Sequence, residues 1–358
     1  MDNLTHSLVG AIMGQAGLKR KTGLAMPALV IGANLPDVDA ACFFWLEGTE
    51  HLGFRRGITH GPPALVILPL ILAGLLWGFD RWQAGRGKRP EKRLAVHFGW
   101  LYGLSFLGAL SHPLLDWLNV YGVRFWEPFA PTWAYGDTLF IIDVWLWALL
   151  IVSVWWGYAR EKAGGNQRPI ARGAIAVMLA YIGLNGAITQ HAEHSGHELA
   201  EYTYNFEPTE VVGSPVPFVF WQREILFRKE IDDADGGGAI FGSGHYSVET
   251  GAEYYTPSSR YGPIETLTFD TPQDPLRWHY LRRYSDREES VVRAIGQNNS
   301  QVAAFLFWSR MPEIYVENEM ASVRVFWLYD QRFRDPRAVD RFSIRFDEEG
   351  NLLELPEQ

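Results

Sequence analysis

The chain of 358 residues has a net charge of −9 at pH 7, with 32 Lys and Arg against 41 Asp and Glu. This acidic balance lacks the basic footprint of nucleic-acid binding, so no nucleic-acid partner is expected, and the single cysteine, Cys42, excludes an intrachain disulfide. The mean hydropathy of −0.09 is typical of a soluble protein. This average is misleading, because apolar and charged residues are segregated along the chain.

The first two apolar stretches, residues 4–18 and 24–35, are joined by the basic sequence KRKTG. At 1.5 Å per residue, each stretch is too short for a hydrocarbon core of about 30 Å. They predict a short N-terminal helical pair that enters the membrane without fully crossing it, or a pair of tilted helices.

Four longer stretches with few charges follow, at residues 57–79, 94–115, 139–158 and 173–190. Each comes close to the roughly 20 apolar residues of a spanning helix, so an α-helical membrane domain with four long spans is predicted. The loops 80–93 and 159–172 are rich in Lys and Arg, whereas the loop 116–138 contains a single basic residue of these types, Arg124. Because basic loops tend to lie in the cytoplasm, we expect a multi-pass protein of the bacterial inner (cytoplasmic) membrane with its C-terminal part in the periplasm.

This topology brings four polar motifs to the same membrane face. They are DNLTH at the start of the first helix, NLPDVD at the end of the second, RRGITHG before the first long span and SHPLLDW at the end of the next. Residues far apart in sequence are therefore expected to meet at one depth.

The residue types in these motifs are those of a metal site. His112 and Asp116 are four residues apart, which stacks them on one helical face, and Asp37 and Asp39 follow Pro36 on a predicted helix-to-loop turn. Imidazoles and carboxylates are usual ligands of hydrolytic metals, and such groups are unfavourable beside lipid unless a cation compensates them. Each motif also has a simpler interpretation, as an interfacial histidine, a solvated turn or an interfacial pair.

The motifs DNLTHSLVG, NLPDVD, RRGITHG, SHPLLDWLNVYG, FWEPF and GDTLFIIDVW occur in this order. In this order they resemble the bacterial family of membrane-bound metal-dependent hydrolases, the YdjM-type inner-membrane proteins. The resemblance covers residues 2 to about 158 strongly and the remainder loosely. It implies a distant relation to zinc-dependent phospholipase C and P1-type nucleases.

The resemblance implies a divalent metal, Zn or alternatively Mn, with one to three ions. The implied metal ligands are His6, Asp37, Asp39, His60, His112 and Asp116. Asp37 or Asp39 could alternatively serve as the catalytic general base. Asp143 and Asn119 are candidates for an additional metal ligand or for a residue that holds a ligand in place. Arg55 and Arg56 are candidates for holding an anionic head group, or merely contact lipid phosphates.

The function expected from this site is metal-dependent hydrolysis at the periplasmic face. A phosphoester or lipid-linked ester is the expected substrate, so the partner is a membrane lipid or lipid-linked molecule. The alternative is a non-catalytic membrane scaffold or envelope-stress protein whose metal is structural. A catalytic metal keeps an open coordination position, whereas a structural one is closed.

Two further segments have open interpretations. The aromatic sequence FWEPFAPTWAYGDTLF is typical of a membrane-interface belt, with a lid over the site as the alternative. The sequence QHAEHSGHE contains His191, His194 and His197. Because Ser195 and Gly196 indicate that a helix is ending there, we expect a solvated linker, with an accessory metal site or a pH-sensitive contact as alternatives.

Residues 1–198 are predicted to form the membrane domain and residues 199–358 a soluble α+β domain, mainly antiparallel β. Short alternating or aromatic runs predict strands in the soluble domain: PFVFWQREILFRKEI, IETLTF, QVAAFLFWS, SVRVFWLYDQRF and FSIRFDEEGNLLEL. The last run predicts a closing hairpin, and SDREESVVRAIGQ predicts a helix. Because the soluble domain contains no nucleotide-binding loop and no serine elbow, we expect it to bind or shield rather than to catalyse.

Overall fold

The computed structural model describes residues 1–231, 238–253, 282–318, 324–333 and 341–353. The chain divides into two compact units. The first comprises Met1–Ala41, Arg56–Gly186 and Pro217–Phe220, and the second comprises Cys42–Arg55, Ala187–Val216 and Trp221–Gln358. The short segment 42–55 therefore belongs to the second unit although it lies far from it in sequence. The domain boundary that the sequence predicts between residues 198 and 199 stays a prediction.

The first unit is helical. Its helices are α1 (Asn3–Gln15), α2 (Ala25–Gly32), α4 (Pro62–Gly85), α5 (Phe98–Trp117), α6 (Val144–Lys162) and the first part of α7 (Arg168–Tyr204). Helix α1 begins where the side chain of Asp2 accepts hydrogen bonds from the backbone N–H groups of Leu4 and Thr5. The short α1 and α2 confirm the predicted N-terminal helical pair.

Two helices are long and apolar enough to cross a membrane, judged over the described residues: Pro62–Gly85 and Arg168–Tyr202. A third candidate is the pair formed by α2 and the 3₁₀ segment Leu35–Phe44, which is bent by 48° as in a broken span or re-entrant loop. The prediction of four long spans is therefore not supported, because the described residues contain two candidate spans, or three if the bent pair is one span. Helices form at the other two positions, but α5 contains His112, Pro113 and Asp116, and α6 is rich in tryptophan and ends in charged residues.

Glycines allow close approach of the backbones of α1, α2 and α5. A Cβ added at Gly10 or at Gly108 would lie 2.8 or 2.6 Å from the carbonyl oxygen of Leu29, and one at Gly32 would lie 2.7 Å from that of Ser105. Small residues at such crossings are common where helices pack in membranes. This packing brings the first turn of α1, the end of α2 and the last turn of α5 together.

The second unit contains two antiparallel sheets. The first has β1 (Glu210–Pro215), β2 (Gln222–Glu230), β3 (Ala239–Ser247) and β4 (Gly251–Glu253) in this order, with β5 (Arg282–Tyr284) also paired to β3. The second has the order β6 (Pro312–Asn318), β7 (Arg324–Asp330) and β8 (Ser343–Asp347). The predicted mainly antiparallel C-terminal part is thus confirmed. The predicted strand IETLTF lies outside the described residues.

The remaining helices of the second unit are α3 (Glu50–Phe54), α8 (Asp286–Gly296) and α9 (Ser300–Trp308). Helix α8 is the predicted one, and Ser285 with Glu288 forms a capping box at its start. The prediction of a strand at QVAAFLFWS was wrong, because this sequence forms α9. The buried residues Val302, Phe305 and Trp308 recur every third position, which is the spacing of a helical face, and Asn299 caps the first turn.

The predicted closing hairpin is present in reduced form. Strand β8 turns at residues 347–351, and Phe346 pairs with Leu352 in a single bridge rather than in a full second strand. The side chain of Asp347 accepts hydrogen bonds from the backbone N–H groups of Glu349 and Asn351, which stabilises the turn. The chain therefore reverses at the predicted place.

The expectation that the helix ends at QHAEHSGHE was wrong, because α7 continues to Tyr204. Gly196 faces β2, where a Cβ would lie 2.4 Å from the side chain of Ile225, so this glycine serves packing and not termination. His194 is exposed and lies 3.4 Å from Glu198, while His191 packs edge-on against Tyr246. These histidines are not among the groups of described residues placed to hold a metal.

Candidate metal centre

Four side chains converge in the first unit, from three places in the sequence. Asp37 comes from the 3₁₀ segment Leu35–Phe44, His60 from the 3₁₀ turn Ile58–His60, and His112 and Asp116 from α5. One ligand atom of each lies within 4.8 Å of the others, and this is the one such group among the described residues. Pro36 and Asp37 both lie inside the 3₁₀ segment Leu35–Phe44, where a helix-to-loop turn was predicted.

The Nε2 atoms of two histidines point to one carboxylate oxygen. Nε2 of His60 lies 3.5 Å and Nε2 of His112 lies 3.6 Å from Oδ2 of Asp116, and Nε2 of His112 lies 3.7 Å from Oδ1 of Asp37. Both Nε2 atoms are buried and make no hydrogen bond. Buried polar atoms without partners are rare and call for a physical explanation.

The other ring nitrogen of each histidine fixes its orientation. Nδ1 of His112 lies 2.7 Å from the backbone carbonyl oxygen of Ala33, which only accepts, so Nδ1 carries the proton and Nε2 the lone pair. Nδ1 of His60 lies 3.0 Å from Oγ1 of Thr59, and that hydroxyl donates to Oδ2 of Asp39 at 3.1 Å. Such partners are characteristic of metal-ligating histidines.

Three of the separations between these atoms are close to those expected around a tetrahedral ion. Zinc bonds to nitrogen and oxygen of about 2.0–2.2 Å place neighbouring ligand atoms about 3.3–3.6 Å apart. The measured separations of 3.5, 3.6 and 3.7 Å are close to this range and too long for hydrogen bonds. Burial lowers the pKa of His60, which keeps its imidazole in the neutral form that ligates metals. Asp37, His60, His112 and Asp116 thus have the chemistry and the spacing to hold a divalent cation.

Asp116 also receives positive charge from the protein. Nε of Arg56 lies 2.9 Å from its Oδ2, and the α-amino group of Met1 forms an ion pair with its Oδ1. His6 lies beside it, with Nε2 3.2 Å from Oδ1 of Asp116 and its ring stacked on that of His112 at 3.8 Å between centroids. His6 therefore contacts the group without being one of its four members.

The RRGITHG loop is held by Asp39 and Asn119. Oδ2 of Asp39 accepts a hydrogen bond from the backbone N–H of Arg56 at 2.8 Å, where the Arg56 backbone is left-handed with φ of 54°. The guanidinium of Arg56 donates to Oδ1 of Asn119 at 3.0 Å and to the carbonyl oxygen of Gly122 at 3.2 Å. Asp39 and Asn119 thus support the site through its neighbours.

Gly61, immediately after His60, makes room for another loop. A Cβ at this position would lie 1.8 Å from the carbonyl oxygen of Glu127, so a larger residue requires the backbone to move. The glycine therefore fixes where His60 enters the site.

The remaining predicted site residues lie elsewhere. Asp143 caps α6 by accepting from the backbone N–H of Leu146 at 2.8 Å, and it accepts from the hydroxyl of Tyr181 at 2.9 Å. Arg55 belongs to the second unit, where its guanidinium lies 5.7 Å from the ring of Phe43. The proposed roles of these two residues stay predictions.

Sequence reasoning missed Thr59 and Ala33. Thr59 was visible as the neighbour of His60 in the THG sequence, and a hydroxyl beside a candidate ligand is a usable signal. The carbonyl of Ala33 had no such signal, because any residue type supplies a backbone oxygen.

Residues 1–192 match the family model described as YdjM inner membrane protein. No curated protein and no solved structure matches the chain. The matched region contains all four residues of the metal-binding group.

Proposed function

The chain belongs to the YdjM inner membrane protein family, and we propose that it is a metal-dependent hydrolase of that membrane. The observation that carries the proposal is the pair of buried, unpartnered Nε2 atoms of His60 and His112, which both face Asp116. The proposed substrate is a phosphoester or a lipid-linked ester.

His60, His112 and Asp116 would hold the metal. Asp37 would either complete a closed site with four ligands or act as general base and leave the fourth position open to water. Zinc suits two imidazoles and two carboxylates at these separations, and manganese is the alternative. A divalent ion bound there supplies Lewis acidity and lowers the pKa of a bound water to about 7, which is the chemistry that ester hydrolysis needs.

The surrounding residues have separate roles in this proposal. Thr59 and Asp39 hold the imidazole of His60, and Arg56 holds the carboxylate of Asp116. Since Oδ2 of Asp39 is engaged by Thr59 and by the backbone of Arg56, we assign Asp39 a positioning role. Asp37 is the group's one partly exposed member, so it faces the side from which a substrate arrives and acts as ligand or general base.

The experiment uses the full-length protein purified in a mild non-ionic detergent. Metal content is measured by mass spectrometry, and hydrolysis is screened with phospholipids and chromogenic phosphodiesters. Wild-type protein is expected to contain stoichiometric metal and to hydrolyse one of these substrates, His112→Ala to lose both properties, and the exposed His194→Ala to keep both. A metal-free wild type, or activity unchanged in His112→Ala, contradicts the proposal.

The second candidate function is a non-catalytic scaffold with a structural metal. It is favoured by the burial of the site, because the side chains of His60 and His112 are 0% exposed and that of Asp116 is 1% exposed. Stoichiometric metal that stabilises the fold, together with no hydrolysis of any ester in the screen, would support the scaffold over the hydrolase.

We also propose that α5 and α6 cross the membrane together with α4 and α7. Their lengths of 20 and 19 residues support this, as do the exposed apolar side chains of α6, among them Ile151, Val152 and Trp155. The basic loops after α4 and α6 would then face the cytoplasm and the second unit the periplasm. Reporter fusions at residue 131 and at the C-terminus that give cytoplasmic signals would contradict this orientation.

A further inference from the structure

A cleft of about 660 Å³ lies in the second unit, and none of the residues that carry the proposed hydrolysis lines it. It is formed by the segment 42–55, by the start of α9 and by β8 with the turn that follows it. Its volume is within the range of small-molecule sites in proteins, about 300–1,000 Å³.

One wall of the cleft is apolar. Phe43, Leu46 and Leu352 contribute to it, and the ring of Phe43 lies 5.1 Å from the imidazole of His51 between centroids. Phe43 and Leu352 are 55% and 45% exposed, so these side chains present apolar surface that the protein itself leaves uncovered. Such a wall offers an alkyl chain a place out of water.

The lining of the cleft also includes basic side chains. Arg341 and Arg345 line it, and none of the described residues that line the cleft is acidic. Burial is the main cause that lowers the pKa of His51, and the nearby charges of Arg55 and Arg341 lower it further. A hydrogen bond from Nδ1 to the carbonyl oxygen of Gly48 acts in the opposite direction and raises the pKa. The guanidinium groups of Arg55 and Arg341 thus both lie close enough to His51 to act on its charge.

A nearby carboxylate is engaged elsewhere. Glu50, on α3, accepts hydrogen bonds from the hydroxyl of Ser300 and from the backbone N–H of Glu47. The cleft therefore combines an apolar wall with two guanidinium groups, which bind phosphate oxygens well.

We propose that this cleft binds an amphiphile with an alkyl chain and a phosphate head group. Arg341 and Arg345 contact the phosphate, while Phe43, Leu46 and Leu352 contact the chain. The adjacent Phe44 and Trp45 are 92% and 58% exposed, and exposed aromatic residues of this kind are typical of a membrane interface. The source of the ligand is therefore membrane lipid, which distinguishes the site from one for free phosphate.

Isothermal titration of the full-length protein in non-ionic detergent tests this proposal with three probes. Octyl phosphate carries both features, inorganic phosphate only the anion and octyl glucoside only the chain. Octyl phosphate is expected to bind one to one and at least about tenfold more tightly than either of the others. Equal affinity for inorganic phosphate, or for octyl glucoside, overturns the amphiphile proposal.

Variants identify the site. Because Arg341 is exposed, the Arg341→Gln variant is expected to fold, and it should bind octyl phosphate about tenfold more weakly. Arg287, on α8, is also exposed, and Arg287→Gln is the control that should leave this binding unchanged. Leu352→Gln is expected to weaken the binding of octyl phosphate but not the binding of inorganic phosphate. Binding of octyl phosphate that is unaffected by both Arg341→Gln and Leu352→Gln overturns the assignment to this cleft.

Discussion

The imidazole of His112 donates its Nδ1 proton to the backbone carbonyl oxygen of Ala33 at a distance of 2.7 Å. This hydrogen bond joins α5 to the end of α2 and decides which nitrogen carries the lone pair. Nε2 consequently faces Asp37 and Asp116 as a potential ligand, in a place where it has no hydrogen-bond partner. The site therefore depends on helix packing as much as on the identity of the histidine.

Replacing His112 with alanine is expected to lower metal affinity by roughly 100-fold. Structural zinc sites with four ligands bind with about 10–16 kcal/mol, so one ligand contributes about 3 kcal/mol. The affinity is measured by competition with a chelator of known strength. His97→Ala, at the exposed opposite end of the same helix, is the control and should bind metal like the wild type. Equal affinity of the two variants would contradict the assignment of His112.

Replacing Thr59 with valine is expected to weaken metal binding by about 10–100-fold, because the hydroxyl that connects His60 with Asp39 is lost. The free energy of unfolding of the metal-free protein should also fall, by about 1–3 kcal/mol, because Nδ1 of the buried His60 loses its hydrogen-bond partner. Thr59→Ser keeps the hydroxyl and should restore most of the affinity. A serine variant as weak as the valine variant would show that the hydroxyl does not orient His60.

Replacing Gly108 with alanine is expected to destabilise the first unit by about 1–3 kcal/mol, because its Cβ would lie 2.6 Å from the carbonyl oxygen of Leu29. Gly103, on the same helix, has no atom within 4 Å of an added Cβ, so Gly103→Ala serves as the matched control. It should be neutral or slightly stabilising, since alanine favours helix. Thermal unfolding in detergent measures both, and equal losses would argue against close packing of α2 and α5.

Asp330 is a buried carboxylate in the second unit. Its carboxylate accepts hydrogen bonds from the backbone N–H groups of Arg310 and Met311 and forms an ion pair with Arg332 at 2.8 Å. Burial acts to raise the pKa of Asp330, but the charge of Arg332 and the hydrogen bonds from Arg332 and Ser309 outweigh it and hold the pKa below its usual value of 3.8. Asp330→Asn is expected to destabilise the unit by about 3–5 kcal/mol, because Arg332 then remains buried without its counter-charge.

The same pair predicts a pH dependence. A folded-state pKa below the unfolded one means that the stabilisation is complete above about pH 3.8 and is lost as the pH falls through the folded-state value. The difference in stability between wild type and Asp330→Asn should therefore shrink in strong acid. Hydrogen exchange of β7, followed by mass spectrometry at several pH values, measures this. Glu348→Gln, which removes an exposed carboxylate, should show no such difference.

Several features followed from the sequence by itself. The four-residue spacing of His112 and Asp116 placed these two side chains together, because a helix stacks such positions on one face. The short pair α1 and α2, the helix α8 and the antiparallel C-terminal part also followed from apolar pattern and turn residues. These properties are local, and short-range sterics and hydrogen bonding determine them.

Other features were decided only by tertiary structure. The stretch QVAAFLFWS has the aromatic composition of a strand, yet the burial of Val302, Phe305 and Trp308 on one face makes it a helix. Asp37 and Asp39 are equivalent in sequence, but the contacts of Asp39 with Thr59 and the backbone of Arg56 separate a supporting carboxylate from a member of the metal-binding group. The carbonyl of Ala33 and the glycines of α1, α2 and α5 act through distances between distant backbones, and no local pattern encodes such distances.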